Sequence, residues 1–370
     1  MLLRLSSILI LAGAAALEMA SLPALHAQPA RPSIILITLD GARTEEVFCG
    51  LDTDVLASTL KKDAKLEEQS VYRRFWADTP EARRQKLMPF FWNTLMRDAG
   101  FIAGNRRIGS SVTLTNTHRF SYPGYSEILL GEAHDDTIKS NDPLRNPYVT
   151  VLEELQNKLS LTPAQVGVFT SWDVFNAIAE HREGALTVNA GFEAFASTDP
   201  DVQRLSQLQF DTPTPWNSVR HDVYTFRLAM AHLKSARPRV MYLALGETDD
   251  WAHDGRYDRV LETYARTDGF LQELWAWVQR DAEYRDRTML LITTDHGRGH
   301  DVKEWRDHGA KVEGAQDVWI AIAAPGVTRR GEWRDHAPLH TNQVAATLAA
   351  WMGVDWNALR PSAGRPIEWR

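Results

Sequence analysis

Acids and histidines recur in this chain where a metal-dependent reaction could use them. Asp40-Gly41 follows one apolar run, Glu247-Thr248-Asp249-Asp250-Trp251-Ala252-His253 a second, and Asp295-His296-Gly297 a third. Asp249 and His253, four residues apart, share a face if their segment turns helical. Each group alone has an ordinary explanation: a turn, a solvated contact, a loop. At the ends of three strands together, chance is the poorer account. Carboxylate oxygen and imidazole nitrogen are the donors suited to zinc and its neighbours where thiolates are missing. Cys49 is the only cysteine, which excludes an internal disulfide and argues against cysteine-based zinc or iron–sulfur sites.

The remaining piece is Phe120-Ser121-Tyr122-Pro123-Gly124-Tyr125-Ser126-Glu127-Ile128-Leu129-Leu130-Gly131. Pro123 and Gly124 suit a tight turn opening a helix, with Ile128, Leu129 and Leu130 buried. Ser121 then stands at the helix N-terminus, where free N–H groups and the dipole favour an anion. Serine is also a common N-cap, and the two uses are compatible.

The elements that must position these groups read as buried strands at Ser33–Leu39, Gln165–Thr170, Val240–Leu245, Met289–Thr293 and Val318–Ala323. Such aliphatic runs, ending in polar or glycine residues, suit a sheet covered on both faces. Amphipathic stretches at Val151–Leu159, Trp216–Ser235 and Tyr257–Arg280 lie between them, and His340–Met352 reads as a last helix capped by Gly353. Alternating strands and helices predict an α/β fold, a three-layer α/β/α sandwich with a mostly parallel central sheet. Ligands of such sheets bind beyond the carboxyl ends of the strands. Residues 44–105 read as polar helices over the sheet edge, and 183–217 as an irregular candidate cap.

The N-terminus has a basic start, an apolar run from Ile8 to Leu17 and a small residue at Ala27, the pattern of a signal peptide over 1–27. That leaves one catalytic domain over 28–370, periplasmic or secreted, with no transmembrane span in the mature chain; a membrane tether is the alternative. A net charge of −7 gives no broad basic surface for a nucleic-acid duplex. The oligomeric state is not legible.

These residues resemble the alkaline phosphatase superfamily, most closely its nucleotide pyrophosphatase/phosphodiesterase-like and sulfatase-like metalloenzyme branch, from about Ser33 to Gly353. The resemblance implies two divalent metal ions, zinc with manganese as the alternative. Asp40, Asp295 and His296 would hold one ion together with the nucleophile Ser121. Asp249 and His253, the spacing selecting Asp249 over Asp250, would hold the other, with His308 as last ligand and His340 its rival. Asn141 would help hold a phosphoryl oxygen. The implied activity is hydrolysis of a small-molecule phosphate ester, diester or monoester, through a covalent phosphoserine. The sulfatase signature is incomplete, because Tyr125 stands where arginine belongs, and no counterpart of the phosphate-gripping arginine of classical alkaline phosphatases is evident. A non-catalytic scaffold of the same fold and a phosphotransferase or phosphomutase are the competing readings. His134, Asp135, Asp136, Arg298 and His300 are candidates for shaping the pocket, and Trp172, Trp251 and Trp305 for stacking on a leaving group.

Overall fold

Strand β1 (Ser33–Leu39) is the middle of the molecule, and its alternation explains the layers. Ile34 and Leu36 face one hydrophobic core while Ile35, Ile37 and Leu39 face a second. A strand apolar on both sides must be covered on both sides. The computed structural model describes residues 31–369, so the signal-peptide expectation over 1–27 lies outside the described residues.

The other strands are β2 (Gly100–Ala103), β3 (Val112–Thr113), β4 (Val166–Thr170), β5 (Thr187–Ala190), β6 (Val240–Leu245), β7 (Thr288–Thr293), β8 (Ile320–Ala323), β9 (Gly331–Glu332) and β10 (Leu339–His340). Eight form one sheet in the order β5-β4-β6-β1-β7-β8-β2-β9, and β3 pairs with β10 separately. Within the large sheet only β8 runs antiparallel to its neighbours. One core carries the helices Ser121–Leu130, Val151–Lys158 and Val344–Trp351; the other carries Thr44–Cys49, Phe91–Ala99, Asp222–Ala236 and Tyr257–Arg280. This is the expected three-layer α/β/α sandwich with a mostly parallel sheet.

Three differences from the sequence reading have local causes. Residues 44–105 contain helices, but they end in β2, which inserts between β8 and β9; a four-residue strand opened by glycine carries too little pattern to see. The helix expected from Trp216 begins only at Asp222, after Pro213 and Pro215. Within 183–217, Thr187–Ala190 adds the edge strand β5, and the helix Pro200–Asp211 packs against Asp222–Ala236. Among the described residues no helix is long and apolar enough to cross a membrane.

Register positions the site. β1 pairs on one side with β6 (Leu39↔Leu245) and on the other with β7 (Thr38↔Thr293). The next residues of all three strands therefore emerge at one edge: Asp40 from β1, Gly246 through Asp249 from β6, and Thr294 through His296 from β7.

Candidate active site

The Ser121–Leu130 helix meets that edge end-on. Phe120 is its N-cap and Ser121 its first helical residue, so the serine hydroxyl is not used as a cap. It lies 3.4 Å from His296 Nε2. Approach this close needs Gly124, whose Cβ would collide with the Asp295 carbonyl. Asn141 closes the helix end from outside, its Oδ1 accepting from Tyr122 N–H at 2.9 Å. The Asn141 side-chain amide nitrogen has no partner among the described residues.

Two donor clusters sit at this edge. Asp40, Asp295 and His296 form one, and Asp249, His253 and His308 the other, with the donor atoms of each within 4.8 Å of one another. The clusters abut: His296 Nε2 is 3.4 Å from Asp40 Oδ1, 3.5 Å from Asp295 Oδ2 and 3.7 Å from Asp249 Oδ1. His253 Nε2 lies 3.0 Å from His308 Nε2 and 3.1 Å from Asp249 Oδ2. His340, the rival to His308, sits in β10 with its Nδ1 2.9 Å from Thr113 Oγ1 and joins neither cluster.

The surrounding groups orient these side chains. His296 Nδ1 lies 2.9 Å from the Gly297 carbonyl; donation there turns the Nε2 lone pair toward the cluster, the usual support of a ligating imidazole. Tyr125 donates its hydroxyl to Asp40 Oδ2 at 2.9 Å, and Gly41 N–H donates to Asp295 Oδ1 at 3.1 Å. Gly41 is itself dictated: its φ is +55°, and a Cβ would run into the Asp249 carboxylate and Arg298. Arg298 is buried and donates to the Asp249 carboxylate and to the Arg306 carbonyl.

The electrostatics are those of an anionic pocket. Burial, then the charge of Asp40, pushes the Asp295 carboxyl well above the usual carboxylate range. Burial alone would depress the His296 imidazole, but Asp295 and Asp40 hold it up at about 9. Burial and the neighbouring His296, Arg298 and His253 drive His308 strongly down. Asp40 Oδ1 and Asp295 Oδ2 are buried without any hydrogen-bond partner. Unpaired buried carboxylate oxygens are costly, and a divalent cation in the first cluster would satisfy both, while the second cluster offers one carboxylate and two imidazoles to another. The residues present fit two such ions.

Glu127, buried among the apolar residues of the same helix, is a part that sequence reading missed. It accepts from Thr115 N–H, from Asn116 N–H and Nδ2, and from Thr341 Oγ1 at 2.5–3.1 Å. An acid amid Ile128, Leu129 and Leu130 was the available signal. The C-terminal segment completes this helix: Trp356 Nε1 donates to the Leu130 carbonyl at 3.0 Å and Gly364 N–H to the Gly131 carbonyl at 2.8 Å. Glu127→Ala leaves the Thr115, Asn116 and Thr341 donors unpaired, so we expect a stability loss on the order of 4 kcal/mol, read by urea unfolding.

The remaining candidates are elsewhere engaged. His134 stacks on Tyr148, Asp135 accepts from Thr117, and His300 bridges Glu45 and Asp317, whose hydrogen bonds raise it to about 10. Asp136 is exposed. Trp305 is buried against Tyr257. Trp172 and Trp251 are half-buried, Trp251 packing edge-on against Trp216 at 4.6 Å between ring centres.

No family model and no curated protein matches the sequence. Solved structures of similar fold do exist. The alkaline phosphatase PafA superposes with a TM-score of 0.59 at 10% identity, over 92% of this chain and 99% of that one. The phosphonate monoester hydrolase of Silicibacter pomeroyi gives 0.54 at 14% identity over 91% and 76%. A candidate sulfatase from Bacteroides thetaiotaomicron gives 0.55 at 12% identity over 91% and 76%. A shared sheet with its helices on both faces, matched over nine-tenths of this chain at such low identity, makes this the fold of the alkaline phosphatase superfamily.

Proposed function

We propose that the protein is a metal-dependent hydrolase of small-molecule phosphate esters that uses Ser121 as its nucleophile. The observation that carries this is the junction at His296: its Nε2 faces the Ser121 hydroxyl at 3.4 Å and the Asp40, Asp295 and Asp249 carboxylates at 3.4–3.7 Å. A hydroxyl is a poor nucleophile at neutral pH without activation, and this one lies against a ring of donors at a helix N-terminus.

In this reading Asp40, Asp295 and His296, with Ser121, hold one divalent ion, and Asp249, His253 and His308 the other. Zinc is the first choice and manganese the second. Bound there, the ions would lower the serine pKa and neutralise charge on the phosphoryl and leaving oxygens. Ser121 Oγ attacks phosphorus, the ester oxygen departs, and water later cleaves the phosphoserine to return the free hydroxyl. Asn141 holds Tyr122 N–H and presents its own N–H group to a phosphoryl oxygen. Tyr125 keeps Asp40 oriented.

The sulfate-ester alternative is less well supported. The signature for an aldehyde-hydrate nucleophile is broken at Tyr125, whose hydroxyl is committed to Asp40. A catalytically silent scaffold would not need the nucleophile or the orphaned acids. We place the activity in one domain over 28–370, exported behind a cleaved 1–27 segment to the periplasm or outside.

The direct test strips the protein with a chelator and restores it with zinc or manganese. Metal analysis should return close to two ions per chain, and turnover of p-nitrophenyl phosphate or bis-p-nitrophenyl phosphate should vanish and return with them. A protein that binds no metal and cleaves neither ester would refute the reading.

A further inference from the structure

We propose that the edge of the sheet opposite the active site carries a second anion site, in which Arg31, Arg239 and Arg287 bind the oxygens of a phosphate group. This site stands apart from the hydrolase reading. β1, β6 and β7 lie side by side and parallel. Their carboxyl ends share the edge that bears the acids, so their amino ends share the other. Arginines enter there: Arg31 two residues before β1, Arg239 immediately before β6 and Arg287 immediately before β7. β1 has seven residues, which at about 3.3 Å each set the two edges about 23 Å apart. A group bound at the amino edge is out of reach of Ser121.

These arginines line a cavity of about 450 Å³ together with Arg237 and Glu283, a size that accepts small ligands. Four cations face one acid there, in a chain whose net charge is −7. A surface arginine ordinarily pairs with an acid or lies over an aromatic ring, and Arg237 does both. It donates to Asp281 at 2.6 and 2.7 Å and to Glu283 at 3.0 Å, and it packs over Trp277 and Tyr284. The other three do neither. Arg239 uses only Nε, which donates to the Pro32 carbonyl at 2.8 Å, so its two terminal nitrogens have no partner among the described residues. The side chains of Arg31 and Arg287 make no hydrogen bond, ion pair or ring contact among the described residues.

The backbone fixes where these groups stand. Arg239 N–H donates to the Gln165 carbonyl and the Arg239 carbonyl accepts from Ile34 N–H, both at 2.9 Å. The Arg287 carbonyl accepts from Ser33 N–H at 2.9 Å. Two half-buried arginines are thereby held on either side of the start of β1. Burial, then the charge of Arg31, pulls the Arg239 guanidinium below its ordinary pKa.

Like charges gathered at fixed positions in a cavity concentrate an anion there. Guanidinium forks match phosphoryl oxygens, and three of them suit a phosphate with two charges better than a carboxylate with one. Free inorganic phosphate and the phosphomonoester headgroup of a lipid offer that same chemistry.

The test compares the zinc-loaded full chain with Arg239→Gln/Arg287→Gln, which removes both charges and keeps much of the volume. Calorimetric titration of wild type with inorganic phosphate should contain a binding event that the double variant weakens about 100-fold, about tenfold for each charge-assisted contact. An event kept by both proteins belongs to the active site, and its absence would count against the hydrolase reading alone. Sedimentation with vesicles of phosphatidic acid in phosphatidylcholine separates the two sources. Pelleting that the double variant loses assigns a lipid headgroup; phosphate binding without such pelleting assigns the free ion. Should the double variant misfold, wild type decides by itself: phosphate or the vesicles should slow phenylglyoxal labelling of Arg239 and Arg287 several-fold, read by mass spectrometry. Equal phosphate affinity in both proteins with no arginine-dependent pelleting, or labelling that neither phosphate nor the vesicles slow, overturns the proposal.

Discussion

Ser121→Ala is expected to remove at least about 10³-fold of phosphate-ester turnover while leaving fold and metal content near wild type. The size follows from covalent catalysis: without the hydroxyl, phosphorus must be attacked directly by water, and groups that act as a unit fail together. The structural side is mild. Ser121 is the first residue of its helix and caps nothing, and its hydroxyl's one hydrogen-bond partner among the described residues is His296 at 3.4 Å, so alanine costs little. Circular dichroism, metal analysis and burst-phase p-nitrophenol release check the three parts. Retained turnover would name another attacking group. Ser126, buried on the same helix with an unpartnered hydroxyl, would be examined first.

Asp295→Asn should lower turnover as severely, at least about 10³-fold, by weakening the first metal cluster, and it carries an opposite effect on the stripped protein. Asp295 is fully buried, and its carboxyl is pushed up by burial and by Asp40. A folded-state pKa raised above the unfolded one means that folding takes up protons, so stability falls as pH rises above about 4. His296 is raised as well, to about 9; its contribution is complete below about 6.5 and is lost as pH rises through 9. Both slopes run the same way. Metal-free wild type should therefore lose melting temperature steadily from pH 5 to 9, and Asp295→Asn should flatten that decline and melt higher at pH 8. Zinc should raise the wild type far more than the variant. A variant that melts lower than wild type when both are stripped at pH 8 would show that Asp295 is not a strained acid.

Much of this was legible because burial writes itself into sequence. β1 and β6 were read with their observed ends and β4 and β7 to within a residue, since strands apolar on both faces leave runs that polar residues punctuate. The acids following β1, β6 and β7 were legible for the same reason: a parallel sheet delivers strand ends to one edge. β2, β5 and β9 were not, being two to four residues long and defined by pairing rather than composition. Ser121 was placed at the right helix end, but its place inside the first turn depends on Phe120 being extended, which no local pattern announces. The Glu127 hub was hidden because its partners Thr115, Asn116 and Thr341 are distant or unremarkable in sequence. His308 and His340 could be told apart only in space, where β10 ties His340 to Thr113.

The bonds from Thr341, Trp356 and Gly364 to the Ser121–Leu130 helix have a temporal meaning. Ribosomes build this chain from the other end, so residues 121–131 exist long before the segment that steadies them. The helix that carries Ser121 acquires these contacts only after residues 341–364 have been made. Loss of Thr341, Trp356 and Gly364 would take these bonds from the Ser121 helix, although more than two hundred residues of chain separate the two.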